Sequence, residues 1–288
     1  MNLNTKGKEI ILSSTANSSL NTNKGSIFFI GNATVLITYA GYTILTDPTF
    51  IHMHEKVHLG YGLHTTRLTN PAIDINELPP LDFILLSHFH GDHFDQVAIK
   101  DLDKSIPIIT TPHAASELKS RGFNKVNELE KWEKISFLKD GIRLNITATP
   151  GRHGPFPISI FMPQVMGSVL DFYSENKSLL FRIYITGDTL VFDDIKDIPK
   201  RFPNTDIALL HLGGTTVMGI MVTMDSKEGL KMFKIIDPKK AIPIHYNDYD
   251  VFKSSIDDFK KDALDAGIDG RIHYLNHGES YTFENEKC

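Results

Sequence analysis

From residue 26 the chain alternates short apolar runs with residues that turn a backbone. Residues 27–30, 35–38 and 42–46 read as three strands, with Gly31-Asn32 and Ala40-Gly41 as turns and Asp47-Pro48 ending the third. Residues 50–80 carry no clear period and hold scattered histidines with Pro71, Pro79 and Pro80. They read as a long loop with short helical turns, and a loop that long in a compact domain is often functional. The apolar run 83–86 suits a buried strand that stops at Ser87-His88. Further along, the pattern predicts helices over 92–102, 112–121, 225–235 and 251–266, with Gly122, Pro238 and Gly267 as stops. It predicts further strands over 106–110, 134–137, 142–148, 179–186, 207–210, 241–244, 271–275 and 279–283. Residues 1–25 read as a loose or edge-packed N-terminal segment. Residues 26–288 read as one domain, because no Gly/Ser linker or charge run divides them. Strands in both halves with helices between them predict two sheets covered by helices, in an α/β or α+β domain.

Composition narrows the chemistry. The chain has 288 residues, 41% hydrophobic and 23% charged, enough for a sizeable core and unlike a disordered chain. It carries 13 histidines but a single cysteine, Cys288. An intramolecular disulfide, a Cys₄ zinc site, an iron–sulfur cluster and an internal cysteine nucleophile are all excluded. A net charge of −5 forms no basic field, so nucleic acid is not the expected partner. The first residues lack a signal-peptide core, and no run of about 20 apolar residues spans a membrane. A cytoplasmic location is expected, with attachment to a membrane surface and a homo-oligomer both left open.

The densest chemistry is Ser87-His88-Phe89-His90-Gly91-Asp92-His93-Phe94-Asp95, directly after a predicted buried strand. In extended chain His88 and His90 point to one side, Gly91 permits a tight turn, and Asp92 and His93 then face the same space from a helix start. Imidazoles and a carboxylate are not crowded like this without a compensating ion. Other candidates also follow apolar runs: His153, Asp188 and His245. Seven ligands exceed the needs of one ion. They suit two divalent ions, with His88, His90 and His153 on one, Asp92, His93 and His245 on the other, and the two oxygens of Asp188 bridging them. Zinc is the first choice of metal, with manganese second and iron or nickel also admitted by the carboxylates.

His88-x-His90-x-Asp92-His93, followed by His153, Asp188 and His245, resembles the metallo-beta-lactamase fold superfamily of metal-dependent hydrolases. The likeness covers roughly residues 26–283. It implies a four-layer αββα sandwich, of α+β class, with the metals at one edge between the sheets. It also assigns the seven ligands the same split. Gly31-Asn32-Ala33-Thr34-Val35-Leu36-Ile37 and Ile44-Leu45-Thr46-Asp47-Pro48 resemble the opening of the first sheet, and Asp47 the aspartate that orients a ligand histidine. Leu212-Gly213-Gly214 and Ile242-Pro243-Ile244-His245-Tyr246 look most like the branch of L-ascorbate-6-phosphate lactonase-like and N-acyl-phosphatidylethanolamine phospholipase D-like proteins. Without a cysteine ligand the chain departs from true beta-lactamases.

The implied activity is hydrolysis of a small ester, a lactone or phosphorylated lactone, by a metal-activated water. A phosphodiesterase or phospholipase D-like activity is the alternative, and an iron-dependent oxidoreductase the reading from another class. Asp92 is also a catalytic candidate for orienting the nucleophile or moving a proton. His211 is a second catalytic candidate, for contact with substrate or leaving group, against a buried supporting role. Arg152 is weighed as an anion contact against an ordinary salt bridge. His52, His54, His58 and His64 are weighed as cleft-lining or surface groups, and residues 156–172 as a cap on an apolar cleft or as core. His113 is expected to be structural, and His277 to pack near the metal edge without being a ligand.

Overall fold

The computed structural model describes residues 8–13, 21–60, 62–217 and 219–285; Cys288 and much of the segment 1–25 lie outside the described residues. Alternation along the strands builds three apolar layers at once. In β2 (Lys24–Gly31), Ile27 and Phe29 enter one buried cluster while Ile30 enters another. Side chains two apart share a face, so one strand serves both. The N-terminal sheet runs β18-β2-β3-β4-β7-β8-β9. It comprises β2 with β3 (Thr34–Tyr39), β4 (Tyr42–Thr46), β7 (Phe83–Leu85), β8 (Ile108–Thr110), β9 (Val126–Glu128) and β18 (Ser280–Glu284). The C-terminal sheet runs β1-β10-β11-β12-β13-β14-β17. Its strands are β1 (Lys8–Ile11), β10 (Lys134–Lys139), β11 (Ile142–Pro150), β12 (Met166–Tyr173), β13 (Leu179–Ile185), β14 (Ile207–His211) and β17 (Lys240–Ile244). Two hairpins stand apart, β5 (Lys56–His58) with β6 (His64–Thr66), and β15 (Thr216–Val217) with β16 (Ile220–Met221).

The sheets face each other across a core that holds Phe83, Leu85, Phe137, Leu144, Leu170, Ile183 and Leu209. On the outer face of the N-terminal sheet, Ile84 and Leu86 meet Ala98 of α1 (Gln96–Asp101) and Ala114 and Leu118 of α2 (Pro112–Ser120). On the other outer face, Ala208 and Leu210 meet Ile198 of α3 (Asp197–Arg201), Met232 and Phe233 of α4 (Ser226–Ile236) and Phe259 of α5 (Ile256–Asp265). The order is helix, sheet, sheet, helix, the expected αββα sandwich. β4 and β7 run parallel, as do β13, β14 and β17. Their C-terminal ends therefore open on a common edge, where binding residues of parallel sheets collect.

Several elements differ from the sequence reading. Lys8–Ile11 is an edge strand parallel to β10, and β2 begins at Lys24. The loop 50–80 contains the β5–β6 hairpin and a 3₁₀ turn at Ile75–Glu77. The helix expected over 92–102 begins at Gln96, because Asp95 caps it by accepting from the backbone of Ala98. The helix expected from 251 begins at Ile256, where Ser255 and Asp258 form a capping box. Val251 and Phe252 instead pack with Ile51, Val57 and Tyr249. Residues 271–275 hold a 3₁₀ turn at Asp269–Arg271 and one bridge from Ile272 to Ala241 rather than a strand.

Candidate metal centre

Each of the seven predicted residues follows a strand of this edge. After β7, the Ser87 amide donates to Asp47 Oδ1 at 2.7 Å, which fixes the departure of the chain. The chain then turns tightly, with the amides of His93 and Phe94 both donating to the His90 carbonyl. Gly91 is required there: its amide donates to the His58 carbonyl of the hairpin at 3.1 Å, and a Cβ would stand 2.6 Å from that oxygen. With Asp95 serving as cap, the Asp92 carboxylate is left to face the crevice. His153 follows β11, Asp188 follows β13 and His245 follows β17. His245 holds a left-handed backbone at φ 61°, uncommon for a residue other than glycine and typical of functional sites.

Hydrogen bonds set the tautomers. His153 Nδ1 donates to the Val222 carbonyl at 2.9 Å, and His245 Nδ1 to the Leu212 carbonyl at 3.0 Å. In each ring that leaves Nε2 as a lone-pair donor. Two groups result, His88 with His90 and His153, and Asp92 with His93, Asp188 and His245, each offering donor atoms within 4.8 Å of one another. All seven are buried. His88 Nε2 lies 3.0 Å from His90 Nδ1. In the second group His93 Nε2 stands 3.5 Å from Asp188 Oδ2, and His245 Nε2 stands 3.5 Å from Asp92 Oδ2. Two donors on one tetrahedral ion at about 2.0–2.1 Å stand about 3.4 Å apart. The spacings are those of a coordination shell. Moreover, His93 Nε2, His245 Nε2, Asp92 Oδ1 and Asp188 Oδ1 are buried with no hydrogen-bond partner. Such orphaned atoms are costly unless something else satisfies them, and this donor set fits a divalent cation.

Charge divides the two groups. Burial and the neighbouring imidazoles push His88 well below its ordinary value, and burial pushes His153 down and His90 to about 3. These three rings are neutral and able to ligate. Burial by itself would raise Asp92 and Asp188, but the charges of His93 and His245 outweigh it and hold both carboxylates low. His93 is driven the other way: burial opposes its charge, yet Asp188, Asp92 and Asp47 raise it well above the ordinary value.

The sequence model of the beta-lactamase superfamily domain matches residues 42–246. A UPF0173 metal-dependent hydrolase of Nanoarchaeum equitans is 30% identical over 215 residues, covering 71% of this chain and 87% of its own. The chain belongs to the beta-lactamase superfamily. Within it, an N-acyl-phosphatidylethanolamine-hydrolyzing phospholipase D of Caenorhabditis elegans is 27% identical over 233 residues, 77% of this chain and 63% of its own. The fold is shared with an isothiocyanate hydrolase from Delia radicum gut bacteria, at TM-score 0.75 and 22% identity over 90% of this chain and 99% of the other. UPF0173 relatives of Nanoarchaeum equitans and Thermus thermophilus are named metal-dependent hydrolases, and the chain is an enzyme of that class.

Other residues weighed from sequence take varied places in this superfamily fold. Asp47 Oδ2 lies 3.2 Å from His93 Nδ1 and 3.4 Å from His211 Nε2. Burial would raise Asp47, but His93 and His211 hold it at about 2. His211 is wholly buried behind Asp47, with Nδ1 3.2 Å from Thr186 Oγ1. Asp47, His93 and His211 also bring donor atoms within 4.8 Å of one another. Arg152 makes no ion pair among the described residues; its guanidinium lies over the Phe192 ring at 4.4 Å. His52 pairs with Asp74, while His58 and His64 meet edge to face in the hairpin. His58 and His113 line a cleft of about 710 Å³ that reaches His90 and includes Phe89, Ile160 and Phe161. The stretch 156–172 divides between this cleft and strand β12. His277 meets Asp248 at 3.3 Å and the Phe29 ring edge to face, outside the ligand groups. Sequence reasoning gave Asn32 no role at the site, though it donates from its side chain to the Asp92 carbonyl; its signals were its place in the Gly31-Asn32 turn and in the stretch that resembles the opening of the first sheet.

Proposed function

We propose that this hydrolase cleaves a small ester, a lactone or phosphorylated lactone first among them, at two divalent ions, most simply zinc. The observation that carries the reading is the buried set of seven convergent donors with orphaned atoms. His88, His90 and His153 would hold one ion, Asp92, His93 and His245 the other, with Asp188 shared. Bound there, divalent ions polarise an ester oxygen and make water acidic enough to yield hydroxide near neutral pH. Asp92 orients that water and accepts its proton. Asp47 fixes the His93 ring, and His211 supports Asp47 from behind.

One observation favours the phosphodiesterase or phospholipase D-like alternative. The cleft beside His90 is walled by Phe89, Ile99, Ile160 and Phe161, and its Arg121 is already paired with Glu117 at 2.6 Å. An apolar wall with an engaged cation suits a substrate with an apolar body better than a phosphorylated sugar. The hydrolase names of the relatives weigh against an iron-dependent oxidoreductase. The test is metal analysis of the purified protein coupled to a screen of lactones, phosphorylated lactones and phosphodiesters. Two bound equivalents with ester turnover are expected. A metal-free chain, or turnover unchanged after chelation, overturns the reading.

A further inference from the structure

Asn32 leaves its side-chain Oδ1 buried without a hydrogen-bond partner, while its other polar groups join the two loops that carry Asp92 and His245. It is wholly buried and holds a left-handed backbone at φ 53°, a conformation asparagine tolerates better than most residues. Its side-chain Nδ2 donates to the Asp92 carbonyl. Its own carbonyl accepts from the His245 amide at 2.9 Å. Its amide donates to Asp248 Oδ2 at 2.7 Å, and Asp248 is wholly buried. Three hydrogen bonds from one residue therefore tie the turn at 91–93 to the loop after β17. Across that tie, Asp92 Oδ2 and His245 Nε2 stand 3.5 Å apart, the separation of two donors on one ion.

We propose that Asn32 is a positioning residue that sets the spacing of Asp92 and His245, and so the affinity of the ion position they share. The proposal rests on the two-ion reading above. It gives the turn between β2 and β3 a role at a site where no side chain of that turn is a ligand. The His88, His90 and His153 position has no bond to Asn32, so the residue separates the two positions.

The informative variant is Asn32→Gly. Glycine keeps the left-handed backbone and both main-chain bonds, and removes the side-chain amide that donates to Asp92, together with its unpartnered Oδ1. Zinc is titrated into chelator-stripped protein against a competing fluorescent chelator. The wild type is expected to take two equivalents. N32G is expected to keep one at wild-type affinity and to weaken the other by about 10–100-fold, the usual cost of losing a group that orients a ligand. Cobalt loading should alter the visible spectrum of one equivalent only, and far-ultraviolet circular dichroism of the metal-free protein should not change. If N32G does not fold, N32A reads the same loss without adding a charge, since it removes the side-chain amide and keeps both main-chain bonds. Two wild-type equivalents with unchanged affinities in the folded variant overturn this proposal alone, as does equal weakening of both. A wild type that takes one equivalent overturns the two-ion reading and this proposal with it.

Discussion

Two buried polar clusters lie on either side of Asn32, and they settle their charge differently. In the first, Asp248 and Arg67 are both wholly buried; Arg67 Nη2 lies 3.6 Å from Asp248 Oδ1, with Thr69 and His277 also on that carboxylate. The cation is part of the chain, although Arg67 Nε and Nη2 lack hydrogen-bond partners. In the second, Asp92 and Asp188 have imidazoles alone as ion-pair partners among the described residues. A carboxylate beside a buried guanidinium is compensated by folding itself. Carboxylates whose only ion-pair partners are imidazoles, groups that can give up a proton and ligate, leave a place for a cation from outside. The contrast separates a structural cluster from a candidate metal centre without reference to any relative.

The largest effects should break the second cluster. His88→Ala with His90→Ala removes two of the three histidines of one ion position. Hydrolysis is expected to fall to background and metal content to drop, while the fold survives because neither neutral ring leaves a buried charge unpaired. Elemental analysis and a turnover assay check this; full retention of both sinks the assignment. Arg67→Met should do the reverse. It leaves Asp248 with His277, Thr69 and the Asn32 amide but without its buried guanidinium, at a cost of up to about 3–5 kcal/mol. Urea unfolding of the metal-free protein reads that cost, and the folded fraction should still bind metal. If the arginine variant proves harmless and the histidine variant unfolds, the two clusters have been assigned the wrong way round.

The same contrast explains what was legible in sequence. The candidate metal centre is dense: four of its seven residues fall between His88 and His93, and the other three close apolar runs. The structural cluster draws on residues 31–32, 67–69, 248 and 277, each ordinary in its own neighbourhood, so no local pattern announces it. Strands with one turn residue at each end were readable. β12 was not, because Met166–Tyr173 is buried on both faces and carries Gly167 and Asp171 within it. Gly167 is there because a Cβ would stand 2.4 Å from Thr149 Oγ1, and Asp171 because Arg182 Nε donates to it at 2.6 Å from the next strand. Such residues depart from strand composition only because of partners distant in sequence. Asp92 and Asp95 show the same limit at short range. Either could cap a helix, and the amides of Phe50 and Ile51, which also donate to Asp95, help decide between them.

Asp47 sits between these extremes. It is anionic and buried like Asp248, but its neighbours are His93, His211 and the Ser87 amide. Asp47→Asn keeps an acceptor for Ser87 and loses the charge that orients His93. Metal affinity should fall by about 10–100-fold, with less effect on folding than Arg67→Met. Chelator competition measures the first and urea unfolding the second. An affinity within twofold of wild type would place Asp47 with the structural cluster instead.

The smallest effect is the share of the pH dependence that Asp248 contributes. Burial alone would raise the Asp248 carboxyl; the hydrogen bond and charge of His277, with the charge of Arg67, outweigh it and hold the group below the ordinary range. A carboxyl lower in the folded than in the unfolded chain binds its proton more readily once unfolded. Its contribution to stability is therefore complete above the unfolded value of about 3.9, and is lost as pH falls through the folded value. Asp248→Asn removes this titration. With metal stripped from both proteins, the carboxylates of Asp47, Asp92 and Asp188 titrate in each and largely cancel in the difference. The stability gap between wild type and D248N should be level from pH 7 to about 5 and should narrow below about pH 4. Urea midpoints across that range provide the measurement, and a gap that stays constant into the acid range would mean that Arg67 and His277 do not hold Asp248 as the geometry requires.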